Sequence, residues 1–282
     1  MSNYNLTPTN DIIFKRLFGS KGNEEILKDL LESLLDIKIE SLSLDLATEM
    51  QPDFYSDKGS RLDIRTKLSD GTNVNVEMQV DKNYYSEKRC LEYWSKLYSN
   101  GFNRGDDYNN LTKTICIWIL ADQVYDDFES YESTWKLAEK NMGFNEHFGE
   151  IEFHIIELKK FRKLDIMKPK KKEFWLWFID HINEEMIEMG CIDNERIKEA
   201  REQLEKITSD PELMDIIRRE DLYASDQTTM MNKAIKEGMK KGREEGSKEK
   251  EFEIAKKMKI KGIDVNMIME LTGLSEEEIQ KL

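Results

Sequence analysis

RLDIRTKLSDGTNVNVEMQV, residues 61–80, alternates apolar and polar residues on both sides of Ser69-Asp70-Gly71-Thr72, and this stretch decides the fold. A period of two predicts two strands joined by a hairpin turn. In the first arm Leu62, Ile64 and Leu68 share one face, with Arg61, Asp63, Arg65 and Lys67 on the other. In the second arm Val74, Val76, Met78 and Val80 oppose Asn73, Asn75, Glu77 and Gln79. A one-residue slip flips every side chain, so the two apolar faces coincide only if paired positions sum to an even number. A three-residue loop with Gly71 in the left-handed conformation meets that condition. It pairs Ile64 with Val76, Asp63 with Glu77, Arg61 with Gln79 and Arg65 with Asn75; a shift of two keeps the faces and changes the partners.

Like charges opposite each other on a sheet are destabilising. Two close carboxylates raise each other's pKa unless a cation lies between them. The hairpin alone therefore leaves two readings open. One is a divalent-metal site of Asp63 and Glu77 with Gln79 beside it. The other is a solvated polar face neutralised by Arg61 and Arg65. Three histidines and three scattered cysteines (Cys90, Cys116, Cys191) supply neither an imidazole cluster nor a CxxC clip. A metal here takes oxygen ligands, which suits Mg²⁺, Mn²⁺ or Ca²⁺.

Outward from the hairpin, residues 9–36 read as two amphipathic helices, the first stopping at Gly19. Residues 38–48 alternate as a half-buried strand. Residues 84–102 return to a helical period, and LTKTICIWILA (111–121) reads as a strand buried on both faces. IEFHIIEL (151–158) is a further strand. The order helix, three strands, helix, strand predicts a mixed α/β domain over 1–165, an all-helical extension over 166–230, and a glycine-striped helix with a short helical tail over 231–282. KEFWLWFIDHI (172–182) sets Phe174, Trp175, Trp177, Phe178 and Ile182 on or near one helix face. The lysines of KPKKK (168–172) read as its solvated start rather than a phosphate patch. Gly238, Gly242 and Gly246 recur every fourth residue, a pattern for close helix packing, self-association or a flexible connector. Asp264, Gly273 and the Ser275–Glu278 capping box bound two short helices with a helix-turn-helix look. Glu276, Glu277 and Glu278 suit phosphate badly, so the tail reads as a structural or oligomerising cap.

The N-terminus lacks a secretory pattern, and no run of eighteen apolar residues predicts a membrane span. With the scattered cysteines this predicts a cytoplasmic protein. A net charge of −14 argues against nonspecific coating of nucleic acid and leaves room for a locally basic groove. On the 84–102 helix Arg89 and Tyr93 are four apart and project together. Arg89 is suited to phosphate, and Tyr93 to stacking or hydrogen bonding near a cleft; Tyr84 and Tyr85 are weaker candidates.

TNDIIFKRLFG (9–19), the hairpin (61–80), YYSEKRCLEYWSKLYSNGFNRGDDY (84–108), EGMKKGREEG and ELTGLSEEEIQKL together resemble the Rpn family of recombination-promoting nucleases and transposase-like proteins. That family lies within the PD-(D/E)XK nuclease superfamily and touches both ends of the chain. The resemblance implies the restriction-endonuclease-like core and Mg²⁺- or Mn²⁺-dependent cleavage of DNA by mobile-element or recombination machinery. It sets Asp63 at the motif aspartate, Glu77 at the second acid and the Met78 main-chain carbonyl as a further metal ligand. Asp11 would be the helix-borne acid, with Lys15 one turn away. Arg61, Arg65, Arg89 and Tyr93 would face DNA. Gln79 stands where lysine is usual. Glutamine orients a water by hydrogen bonds but carries no charge to the transition state. A catalytically weakened nuclease fold that binds DNA or a protein is therefore the alternative, and a homo-oligomer through the C-terminal helices is a further expectation.

Overall fold

The computed structural model describes residues 6–45, 64–80, 85–100, 102–141, 143–144 and 146–282. The expectations resting on residues 46–48, Arg61, Leu62, Asp63 and Tyr84 lie outside the described residues. The chain divides into two compact units, Met1–Asp215 and Ile216–Leu282.

The first unit opens with α1 (Asp11–Gly19) and α2 (Glu24–Leu35). The Asn10 side chain accepts from the amides of Ile12 and Ile13 at 3.1 and 3.3 Å, a cap that starts α1. Phe14, Leu17, Phe18, Leu27, Leu30 and Leu31 are fully buried. Their helical spacing supplies the apolar stripe that holds both helices to the sheet. α1 ends where a Cβ on Gly19 would stand 3.4 Å from the Ile64 side chain, so the backbone passes close to the sheet there.

The sheet contains β1 (Leu42–Leu44), β2 (Ile64–Leu68), β3 (Asn73–Gln79), β4 (Thr114–Leu120), β5 (Glu132–Lys136) and β8 (Ile151–Glu157). Their spatial order is β1-β2-β3-β4-β8-β5. β1, β2 and β3 are antiparallel, β3, β4 and β8 run parallel, and β5 returns antiparallel on β8. The hairpin register is the one derived from parity: Ile64 faces Val76 and Arg65 faces Asn75, with Gly71 at φ 91°. β4 is buried along its whole length, as its unbroken apolar run implies.

β5 and a two-stranded ribbon of β6 (Ala138–Glu139) and β7 (Gly143–Phe144) were not expected. β5 is an edge strand with four of five residues exposed, so burial imposed no alternation on it. The helix expected over 84–102 is α3, Glu87–Tyr98. It covers one sheet face, where Cys90, Tyr93 and Leu97 pack with Cys116, Trp118, Leu120 and Ile155.

After α4 (Leu158–Phe161), the aromatic segment forms α5 (Lys171–Asp180). Residues 174–180 are buried all round, so α5 is a core helix rather than a one-faced one. Ile182 is 52% exposed, contrary to the sequence reading, because His181 takes a left-handed conformation at φ 53° and ends the helix first. The α5 lysines make ordinary ion pairs: Lys171 with Asp29, and Lys172 with Glu132 at 2.7 Å. Asp29 also accepts from Trp175 Nε1 and Asn194 Nδ2, at 2.8 and 2.7 Å. It thereby ties α2 to α5 and to the start of α7 (Glu195–Thr208), which follows α6 (Glu184–Asp193).

α8 (Pro211–Ile260) runs unbroken through residues 230 and 231, where the sequence reading sets a boundary, and through all three stripe glycines. Each glycine costs roughly 1 kcal/mol relative to alanine. A Cβ at any of them would meet nothing within 4 Å. In the second unit the end of α8 packs with α9 (Val265–Thr272) and α10 (Glu276–Gln280) around Ala255, Ile268, Leu274 and Ile279. The expected boundaries hold: Asp264 caps α9, Gly273 ends it at φ 73°, and Ser275 with Glu278 forms the capping box.

Candidate active site

β3 lies between β2 and β4, with α3 over one face, and this decides the environment of Glu77. Asn75 and Glu77 are 0% and 2% exposed. The solvated polar face that the hairpin alone allowed is therefore not what these positions form. They make a buried polar layer, in which Asn75 Nδ2 donates to Glu77 Oε1 at 2.9 Å. Asn75 was missed as a partner of Glu77, although a spacing of two on a strand puts both on one face. Arg65, facing Asn75, pairs with Asp45 at 3.4 Å.

α3 brings the next group of residues onto this face. Ser86 caps the helix by accepting from the Arg89 amide at 3.2 Å, and Arg89 and Tyr93 then project together. Arg89 Nη1 donates to Gln79 Oε1 at 3.0 Å, while Nε and Nη2 donate to the Tyr93 hydroxyl at 2.9 and 2.7 Å. The guanidinium lies 5.0 Å from the Tyr93 ring centroid and 5.4 Å from that of Trp118. Tyr93 is itself stacked on Trp118 at 5.6 Å. Tyr85 meets the edge of Trp118 and shares a 2.7 Å hydrogen bond with Tyr125. Trp118 is the register partner of Glu77 on β4.

Electrostatics places the Glu77 charge within this cluster. Burial pushes the Cys90 thiol up to about 12; Tyr85 opposes the rise by hydrogen bonding, and the Glu87 and Glu77 carboxylates add to it. Burial raises Cys116 as well, with Glu77 the next cause.

Among the described residues, Asn75 Oδ1, Arg65 Nε and Trp118 Nε1 are buried here without a hydrogen-bond partner. Buried polar atoms in folded proteins are nearly always satisfied by protein, water or an ion. An orphaned oxygen next to a buried carboxylate fits a hydrated hard cation. The backbone agrees. The Gln79 carbonyl accepts from the Ala121 amide at 2.9 Å, so strand alternation turns the Met78 carbonyl toward the β2 side. The donor set is all oxygen, as Mg²⁺ or Mn²⁺ requires. Among the described residues no group of three or more His, Cys, Asp or Glu is placed to hold a metal; of the expected acid pair, Glu77 is described and Asp63 is not. Asp11 and Lys15 pair with each other at 3.4 Å on α1, which covers the opposite sheet face.

This topology, with a buried acid on the strand after a hairpin, defines a nuclease-like α/β protein. A family model described as PD-(D/E)XK nuclease family transposase matches residues 8–234, and the chain belongs to that family. A second, described as the Rpn/YhgA-like nuclease family C-terminal HTH domain, matches residues 248–282, which makes this an Rpn-type member. That match agrees with the helix-turn-helix look of the tail and spans the end of α8 with α9 and α10. No curated protein and no solved structure matches the chain.

Proposed function

We propose that this chain is a metal-dependent DNA endonuclease of the recombination-promoting, transposase-like type. The observation that carries the reading is Glu77, buried beside the orphaned Asn75 oxygen on the strand that follows the hairpin. Asp63, the Glu77 carboxylate and the Met78 carbonyl would hold Mg²⁺ or Mn²⁺. The bound ion would polarise the scissile phosphate and lower the pKa of a water. Gln79 serves as a hydrogen-bond donor beside the water and the phosphate. Arg61 and Arg65 contact the DNA backbone, Arg89 lies on the same side held by the buried Tyr93, and the helix-turn-helix tail adds a second DNA contact. Among the described residues no helix is long and apolar enough to cross a membrane, and we infer that the protein works in the cytoplasm.

The test is supercoiled plasmid incubated with Mg²⁺ or Mn²⁺. The wild type nicks or linearises it, and Asp63→Ala and Glu77→Ala leave it intact. Equal behaviour of all three proteins would end the endonuclease reading. A net charge of −14 and Gln79 in place of lysine favour a second reading, a weakened nuclease fold that binds DNA or a protein. Under it, all three proteins retard DNA or capture a partner without cutting.

The exposed Met230, Met231, Ile235 and Met239 on α8, together with the open glycine stripe, support self-association through this helix. Sedimentation of the chain with and without residues 231–282 tests it. An unchanged monomer in both cases would remove the idea.

A further inference from the structure

Gln79 occupies the position of the usual lysine, and the nearest cation the structure joins to it is Arg89. A guanidinium has five donors and no acceptor. The group it meets on Gln79 must therefore be the amide oxygen, and the Nε2 amino group is turned away from Arg89. The same logic makes the Tyr93 hydroxyl the acceptor for both Nε and Nη2. With three donors engaged and its plane near the Tyr93 and Trp118 rings, the guanidinium has one orientation, and so has the amide it grips. Hydrogen bonds in a chain polarise one another, most strongly where water is excluded. An amide whose oxygen accepts from a cation is thus a better N–H donor at its other end.

We propose that Arg89 is a positioning residue for cleavage. It acts through Gln79, fixing and polarising the amide so that Nε2 is the donor presented to the reacting phosphate. The Arg89–Gln79 pair then supplies what a lysine at 79 would supply alone. This rests on the endonuclease reading above, and it moves Arg89 from a groove contact to a relay of positive charge.

The experiment compares wild type, Arg89→Gln, Gln79→Lys and the double variant on supercoiled plasmid with Mg²⁺ and with Mn²⁺, with thermal unfolding as a control. Arg89→Gln should lower kcat by about 50-fold or more, the scale of a lost transition-state donor, with KM changed less than about threefold. Adding Gln79→Lys to Arg89→Gln should bring kcat back to within about fivefold of wild type, because the charge no longer needs a relay. A residue that merely pinned α3 to β3 would be rescued by no charge at 79, and its loss would lower the unfolding temperature in step with activity. Full activity of Arg89→Gln, or a double variant no better than Arg89→Gln, overturns the relay and leaves the endonuclease reading standing. A wild type that does not cleave with either metal overturns both.

Discussion

The two faces of β3 and β4 are equally dry and chemically opposite. On the side packed by α1 lie Val74, Val76, Met78, Ile115, Ile117 and Ile119, each at most 4% exposed. Under α3 lie Asn75, Glu77, Cys116 and Trp118, each at most 2% exposed. The same two strands thus bury a wholly apolar layer on one side, and on the other a carboxylate together with an amide oxygen and an indole nitrogen that lack a partner among the described residues. Burying a charge or an unpaired polar group is unfavourable, and a sheet that needed only stability would carry neither. The difference separates two jobs: one face holds the fold together, and the other keeps a buried polar constellation at some cost to it.

That separation can be broken by exchange. Glu77→Leu on the polar face should abolish plasmid cleavage, a fall of at least about 10³-fold, because the residue removed would hold the cation. Its unfolding free energy should change by less than about 3 kcal/mol, because relief of a buried carboxylate offsets the Asn75 amide left without its acceptor. Ile117→Ala on the other face should do the reverse. It should cost about 2–5 kcal/mol in urea unfolding and leave the cleavage rate per folded molecule unchanged. If Glu77→Leu unfolds the protein while Ile117→Ala spares it, the division of labour between the faces is wrong.

The hairpin register was legible because it follows from parity alone, and Ile64 opposite Val76 is where parity set it. The environment of Glu77 was not legible. Its burial depends on β4 lying beside β3 and on α3 crossing above, and no local pattern encodes either contact. The same gap hid the role of Arg89. Its spacing to Tyr93 was readable, but its bond to Gln79 joins residues on two elements. β5 gave no signal because an exposed edge strand needs no alternation. The glycine stripe read as either packed helix or connector. In the structure it is helix, carried by the strong helix formers Ala, Glu, Lys and Met around it, with nothing packed on the glycines. The helix-turn-helix shape of the tail was legible in its turn signals, because the capped helices and their small core are local features.

The apolar face is not apolar to its border, and acid should expose that. At the β8–β5 edge Glu152 accepts from Lys113 Nζ at 2.6 Å and lies 2.7 Å from His154 Nε2, with Lys136 at 3.2 Å. Burial by itself would raise its pKa; hydrogen bonds from His154 and Lys113 overcome that and hold it at about 2, against an ordinary 4.5. A depressed folded-state pKa contributes stability that is fully present above the ordinary value and is lost as pH falls through the folded one. The window is therefore about pH 4.5 down to about pH 2. The half-exposed lysines screen the interaction, so its worth is below the roughly 3 kcal/mol that the full shift would give. Glu152→Gln should flatten stability against pH across that window and leave cleavage at neutral pH unchanged.

The smallest effect sharpens the polar face. Cys90 sits on α3 with its thiol pushed up to about 12 by burial and by the Glu87 and Glu77 carboxylates, and Cys116 is fully buried beneath it. A thiol reacts as the thiolate, so neither should be alkylated in the native protein at pH 8. Cys191 is half-buried and lies outside this cluster. Mass spectrometry after brief native alkylation should therefore find the label on Cys191 first, with all three thiols labelled after unfolding in urea. Native labelling of Cys90 as fast as Cys191 would mean that α3 lifts from the sheet. The polar face would then be open to water, and the dryness on which the Glu77 environment depends would be lost.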